Sequence, residues 1–462
     1  MNLPLTTPLL LRSRQTTSLQ GCTIGVGERP RFKPYTLRTL DRIPQIDRMS
    51  EDQRFAMRVV GEVFPFRVNN YVVDELIDWD RIPDDPIFQL TFPQPGMLEP
   101  EHFDRIANLL RRGASRAELS ATIRDVHETL NPHPAGQMDD NVPRLDGRRV
   151  SGLQHKYRET VLFFPKQGQT CHAFCTYCFR WAQFIGQDDL RIASDAGDDL
   201  HRYLARHPEV SDLLVTGGDP MVMRTTLLER YLDPLTKPEL GHVQNVRIGT
   251  KALAYWPQRF VTDDDADGVL RLFERLVAAG KHVAVMTHFS HVREMHTPMV
   301  QEAIRRIQST GAVLRGQSPI VSHVNDDAVV WSDLWREQVR QGVVPYYMFI
   351  PRDTGSRRYF GISLERAWQV FRGAYTGVSG LGRTVRGPSM SAAPGKVEVL
   401  GVTEVGGRKA FALRMLQGRN PAWVGLPFFA KYDPDAMWLD ELEPLEGGRF
   451  FFEQDRESPR QV

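Results

Sequence analysis

A chain of 462 residues can hold one large catalytic domain with smaller flanking parts. With 58 basic and 57 acidic side chains, a net charge of +1 and 41% hydrophobic content, it lacks the basic excess of a nucleic-acid or membrane-surface binder. No apolar run is long enough to span a bilayer. Three of the four cysteines fall within eight residues, which excludes a disulfide framework and points to a metal or redox site in a reducing compartment such as the cytoplasm.

Residues 1–40 show no periodicity and are expected to form an N-terminal extension. There Leu9-Leu10-Leu11 precedes Arg12 and Arg14, the reverse of the charge order in a secretory signal. Leu19-Gln20-Gly21-Cys22 lacks the hydrophobic stretch that a lipoprotein box requires. Residues 41–150 read as a helical region. In it residues 101–112 place Phe103, Ile106, Leu109 and Leu110 on one helical face, a second helix follows over 115–130, and 131–150 form a connecting loop.

From Thr160 the rhythm becomes strand, loop, helix. Strands are expected over residues 161–164, 213–215, 243–248, 282–288, 312–315 and 343–349. A helix over 266–279 stops at Gly280, and another starts at Thr297-Pro298 and stops at Gly311. This alternation predicts an α/β fold with a parallel sheet, a partial (β/α)6-type barrel over residues 151–400. A small C-terminal domain over 401–462, rich in Phe, Trp and acidic residues, is expected to serve subunit contact. Asp219, His288, Gln317 and Arg352 fall at or just past strand ends, where such barrels carry their chemistry.

The cysteines Cys171, Cys175 and Cys178 have the spacing C-x3-C-x2-C. Three thiolates hold three irons of a [4Fe–4S] cubane and leave the fourth without a protein ligand. The amino and carboxylate groups of S-adenosylmethionine can chelate that open iron, and Tyr177 before the last cysteine is a further mark of such a loop. The competing reading is a structural zinc with His172 or a distant histidine as fourth ligand, but no second C-x2-C half-site exists. Gly217 and Gly218, followed by Asp219, end the next strand and let backbone approach the amino group of that ligand.

These features resemble the lysine 2,3-aminomutase family of radical S-adenosylmethionine (radical SAM) enzymes. The resemblance runs from about residue 65 to 405. It is carried by Cys171 to Arg180, Leu213 to Pro220, Val246-Arg247-Ile248-Gly249-Thr250, Pro257-Gln258-Arg259, Thr287-His288-Phe289, Gly316-Gln317-Ser318, Pro345-Tyr346-Tyr347 and Ala393-Pro394-Gly395-Lys396. It implies a radical SAM barrel with a [4Fe–4S] cluster, S-adenosylmethionine and pyridoxal 5′-phosphate as cofactors. Gly217, Gly218, Asp219, His288 and Gln317 are then cofactor-binding residues. Lys396 is the lysine joined to pyridoxal phosphate by an imine, and Lys156, Tyr157 and Arg158 are its phosphate-holding patch. Arg180 is the arginine that takes the substrate α-carboxylate. The implied reaction moves an α-amino group to the β-carbon through a 5′-deoxyadenosyl radical. An external electron donor such as flavodoxin or ferredoxin and a homo-oligomeric state are also implied.

In the lysine enzymes two acidic residues grip the distal ammonium of the substrate. Aligned without gaps, the corresponding positions here are Arg352 and Ser389, so a non-lysine amino acid with a distal carboxylate, such as glutamate, is expected as substrate. A one-residue slip would put Asp353 at the first position and restore lysine. Other radical reactions on the imine, elimination or epimerisation, and a non-catalytic metal-binding scaffold are the alternative readings. No cysteine follows Cys178, so the C-terminal zinc site of some lysine enzymes is missing.

Overall fold

A computed structural model describes residues 31–131, 141–185 and 192–454. The first thirty residues of the expected extension, with the Cys22 segment, lie outside the described residues. The sequence rhythm from Thr160 onward becomes a single sheet of eleven strands, which follow one another in space in chain order. They are β1 (Leu153–Tyr157), β2 (Thr160–Phe163), β3 (Asp212–Val215), β4 (Asn245–Thr250), β5 (His282–His288), β6 (Val313–Pro319), β7 (Val343–Phe349), β8 (Arg386–Ser391), β9 (Gly395–Val405), β10 (Arg408–Gly418) and β11 (Pro427–Lys431).

Strands β2 to β8 are parallel, and β1 and β9 to β11 extend the two ends antiparallel. Edge strands β1 and β11 do not pair with each other, so the barrel is partial, as the sequence predicts. Residues 395–431 carry the sheet across the 400/401 boundary without a break, turning between β9 and β10 at Gly406 and Gly407, whose φ values are +57° and +75°.

Upstream lie α1 (Glu51–Val63), α2 (Pro100–Arg111) and α3 (Arg116–Leu130). The crossovers carry α4 (Gly197–Arg206), α5 (Thr225–Leu232), α6 (Ala266–Ala278), α7 (Pro298–Ser309), α8 (Ala328–Arg340) and α9 (Leu364–Thr376). The expected helix punctuation is in place. Ser115 accepts a hydrogen bond from the Glu118 amide and Thr297 from the Val300 amide, while Gly280 and Gly311 end their helices at φ values of +82° and +85°.

Alternation within the parallel strands sorts side chains onto two faces. Leu213, Val215, Val246, Ile248 and Leu314 are buried, and the crossover helices add Leu272, Phe273, Leu276, Ile304 and Ile307 to the same core. Each such side chain contributes roughly 1.5–3 kcal/mol on burial. Asp212, Arg247, Arg315 and Gln317 alternate with them and are only partly buried, so the opposite face is a polar lumen. Among the described residues no helix is long and apolar enough to cross a membrane.

Candidate active site

The cysteine loop is held by its backbone to segments far upstream. Phe174 N donates to the Arg67 carbonyl at 2.8 Å and Thr176 N to that of Leu90 at 2.9 Å. Arg67 donates to Thr170 Oγ1 at 2.8 Å, and Asn69 Nδ2 bridges the carbonyls of His172 and Tyr255 at 3.2 and 2.9 Å. These bonds fix the peptide path and leave the thiols of Cys171, Cys175 and Cys178 unoxidised and partly accessible. Burial pushes all three thiols up, Cys178 to about 12, and repulsion from neighbouring thiols adds to the rise at Cys171 and Cys178. A metal cation beside such a set favours its thiolate form.

Among the described residues no three His, Cys, Asp or Glu side chains are grouped as around a bound metal ion, so the choice between cubane and single zinc rests on the C-x3-C-x2-C spacing and on what His172 does. His172 instead sets its ring edge-on to Phe32 at 5.6 Å and is pushed down to about 3 by burial and the nearby Arg259 and Arg67 charges. The Tyr255 hydroxyl lies 3.4 Å from Cys175 Sγ.

The glycine pair lies directly against this loop. A Cβ on Gly218 would stand 2.3 Å from the Thr170 carbonyl oxygen, and one on Gly217 2.3 Å from Gln169 Nε2. The close approach is thus made to the chain just before Cys171. The carboxylate of Asp219 accepts from Thr250 Oγ1 at 2.7 Å and from the amides of Met221 and Lys251 at 2.9 Å, tying the end of β3 to that of β4. Burial raises it to about 6.

His288 ends β5 with its ring 6.4 Å from that of Tyr177, whose hydroxyl is 3.1 Å from Ser290 Oγ. Beneath them Lys251 Nζ pairs with Glu294 Oε1 at 2.7 Å and donates to the His288 carbonyl at 3.1 Å; the Glu294 side chain is 0% exposed. Lys251→Ala leaves that carboxylate buried without its cation and is expected to lower unfolding free energy by about 3–5 kcal/mol, measured by chemical denaturation.

On the other side of the lumen, Lys396 opens β9 with Nζ 4.0 Å from the Tyr347 ring centroid and 5.3 Å from that of Phe349. Burial, then the Arg247 and Arg386 charges, lower it to about 7. Lys156 is lowered by burial and by Arg419, Arg352 and Lys396, and its Nζ donates to the Ala392 carbonyl. Burial raises Tyr157 while Arg419 and Arg352 pull it down, so this residue belongs to the same cluster; Arg158 sits exposed on the β1–β2 turn.

Arg180 and Arg352 flank one aromatic ring, their guanidinium carbons 5.2 and 5.7 Å from the centroid of Phe179. Burial, with Arg352 as a repelling neighbour, lowers Arg180 to about 10. Arg352 is lowered by burial despite the opposing pull of Asp353, and among the described residues its buried Nε meets no hydrogen-bond partner. Ser389 is fully buried and its hydroxyl donates to the Met348 carbonyl at 3.4 Å, so this position brings no charge. Gln317 pairs in register with His288 on one side and Tyr347 on the other, between the two halves of the lumen.

Sequence reasoning missed Tyr255, the Lys251–Glu294 pair and the lumen arginines Arg247, Arg315 and Arg386. For Arg247 and Arg315 the available signal was a charge at an alternate position of an apolar strand, which in a sheet covered by helices on one face must look into the barrel.

No protein-family profile matches the chain. A protein of Aquifex aeolicus (strain VF5) named "Putative L-lysine 2,3-aminomutase" is 32% identical over 402 residues, 87% of this chain and 93% of that protein. The L-lysine 2,3-aminomutase of Bacillus subtilis (strain 168) is 26% identical over 68% of this chain and 56% of its own length. The glutamate 2,3-aminomutase of Clostridioides difficile (strain 630) is 30% identical over 43% of this chain and 44% of its own. A radical SAM methyltransferase from Sphaerobacter thermophilus overlays 60% of this chain and 91% of its own at a TM-score of 0.36 and 14% identity, too distant to bear on the site. With one relative alike along nearly its whole length, the chain belongs to the lysine 2,3-aminomutase family, radical SAM amino acid 2,3-aminomutases that work with a [4Fe–4S] cluster, S-adenosylmethionine and pyridoxal phosphate.

Proposed function

We propose that this aminomutase acts on an amino acid with a distal carboxylate, such as glutamate. The observation that carries the reading is Arg352, set beside Arg180 against the Phe179 ring, a cation where a lysine enzyme needs an anion for the substrate's far end. Arg180 takes the α-carboxylate and Arg352 the distal one, each through the paired N–H donors of a guanidinium. Ser389 forms a neutral wall. The ammonium of lysine would face Arg352 across a partly buried site, where like charges repel by several kcal/mol.

Cys171, Cys175 and Cys178 are the cluster ligands in this reading, and Gly217, Gly218, Asp219, His288 and Gln317 form the S-adenosylmethionine side. Lys396 is the coenzyme anchor, with Lys156 and Tyr157 beside it. When bound, the cofactors supply a radical at the substrate β-carbon and a carrier for the migrating nitrogen. The chain orients both carboxylates and keeps the Lys396 amine available in neutral form. That amine would hold the coenzyme through its aldehyde carbon, the aldehyde oxygen leaving as water.

Because a neutral amine is required and Lys396 is held at about 7, covalent attachment is expected to rise from about pH 6 to about pH 8. Borohydride trapping of coenzyme on the apoprotein measures it; a lysine at its ordinary pKa of about 10.4 would show little attachment over that range. A homo-oligomeric state and cytoplasmic residence, which preserves reduced thiols, complete the proposal. Anaerobically reconstituted enzyme given glutamate and lysine side by side provides the test. β-Glutamate is the expected product, and efficient β-lysine formation would overturn the reading.

A further inference from the structure

The lumen holds a second pair of arginines, set about a different ring. Arg315 on β6 and Arg386 on β8 lie against Tyr346 of β7, their guanidinium carbons 5.3 and 4.5 Å from its centroid. A register shift between Gly316 and Gln317 pairs Gly316 with Pro345 and Gln317 with Tyr347, so Tyr346 is the extra residue of a bulge between the two arginine-bearing strands. Its ring sits edge-on to Tyr347 at 4.5 Å.

Charge balance separates these arginines from their neighbour. Arg247 on β4 is neutralised, with Nε donating to Asp212 Oδ1 at 2.8 Å. Among the described residues no hydrogen bond or ion pair engages the guanidinium of Arg315 or Arg386. Both residues are partly accessible. Two fork-shaped cations without counter-ions, set around a bulge in a lumen, suit a doubly charged, multi-oxygen anion.

Distance identifies which anion. Arg386 lies 4.3 Å and Lys396 Nζ 4.0 Å from the same Tyr347 ring centroid. In pyridoxal phosphate the aldehyde and the phosphate arm occupy adjacent ring carbons, so a coenzyme anchored at Lys396 carries its phosphate about one ring-width from that amine. We propose that Arg386, with Arg315 across Tyr346, holds the phosphate of pyridoxal phosphate. The patch expected from the sequence is less suited as the main holder: Lys156 Nζ is engaged by the Ala392 carbonyl and Arg158 is exposed on a turn. This inference rests on Lys396 as the anchor.

The test compares pyridoxal phosphate with pyridoxal, which has the aldehyde and no phosphate, on full-length apoprotein by borohydride trapping. Arg386→Ala is expected to weaken pyridoxal phosphate about 10–100-fold relative to pyridoxal, the loss of one charge-assisted contact, with both compounds read at a pH high enough to keep Lys396 neutral once the Arg386 charge that lowers it is gone. Arg386→Lys should recover part of the loss, Arg315→Ala should follow the same pattern more weakly, and Lys156→Ala should discriminate less than Arg386→Ala. Retained pyridoxal attachment reports that the variant is folded. The inference is overturned if Arg386→Ala leaves pyridoxal phosphate unaffected, weakens both compounds alike, or is exceeded by Lys156→Ala in discrimination. Wild-type protein that traps neither compound would instead overturn the Lys396 assignment, and the inference with it.

Discussion

Cys175→Ser is expected to reduce turnover to background and to remove the visible absorption of the reconstituted iron–sulfur centre. Two remaining thiolates cannot hold three irons of a cubane, and a serine hydroxyl is a poor ligand for an iron site built for sulfur. The variant should nonetheless fold, because the loop is placed by backbone bonds to Arg67 and Leu90 and by the Asn69 amide, none of which involves the thiol. Unchanged circular dichroism with a missing electron paramagnetic resonance signal after reduction is the result to look for. A variant that retained both cluster and activity would place the open iron elsewhere.

Arg352→Asp carries the second large effect. It removes the cation assigned to the distal carboxylate and puts an anion in its place. The kcat/KM for glutamate is expected to fall by about 10²–10³-fold, mostly through KM, the cost of unpairing a buried charge contact. The same substitution should raise kcat/KM for lysine, because repulsion of the distal ammonium becomes attraction. Arg352→Lys should retain more glutamate activity than Arg352→Asp, with the loss traceable to the missing bidentate fork. Parallel kinetics on both amino acids check this, and an unchanged preference would remove Arg352 from the substrate site.

Much of the barrel was legible because its strands and helices carry simple periodic signals. The bounds of β5 and β7 coincide with their apolar runs, and Thr297, Pro298 and Gly311 mark α7 through local backbone chemistry alone. Strand β8 was not legible: it contains Gly387 and Pro388, which read as a loop until a neighbouring strand supplies its partners. The antiparallel pair β9 and β10 was hidden for a different reason. Its register comes from contact with β8 and β11, outside the strand-loop-helix rhythm.

The candidate site shows the same division. Arg180, Arg352, Lys156, Tyr157 and Lys396, named from motif positions, come together electrostatically in one lumen. Arg158 stays outside it on an exposed turn. Arg315 and Arg386 carry no motif, and their meaning depends on the lumen-facing side of each strand and on the bulge at Tyr346. Asn69 and Arg67 act on a loop about a hundred residues downstream, a relation that no local pattern encodes.

That upstream clamp makes the cysteine loop answerable to residues outside the sheet. Because Arg67, Asn69 and Leu90 hold its peptide path, Asn69→Ala is expected to lower the iron content of the reconstituted protein while the circular dichroism of the sheet is retained.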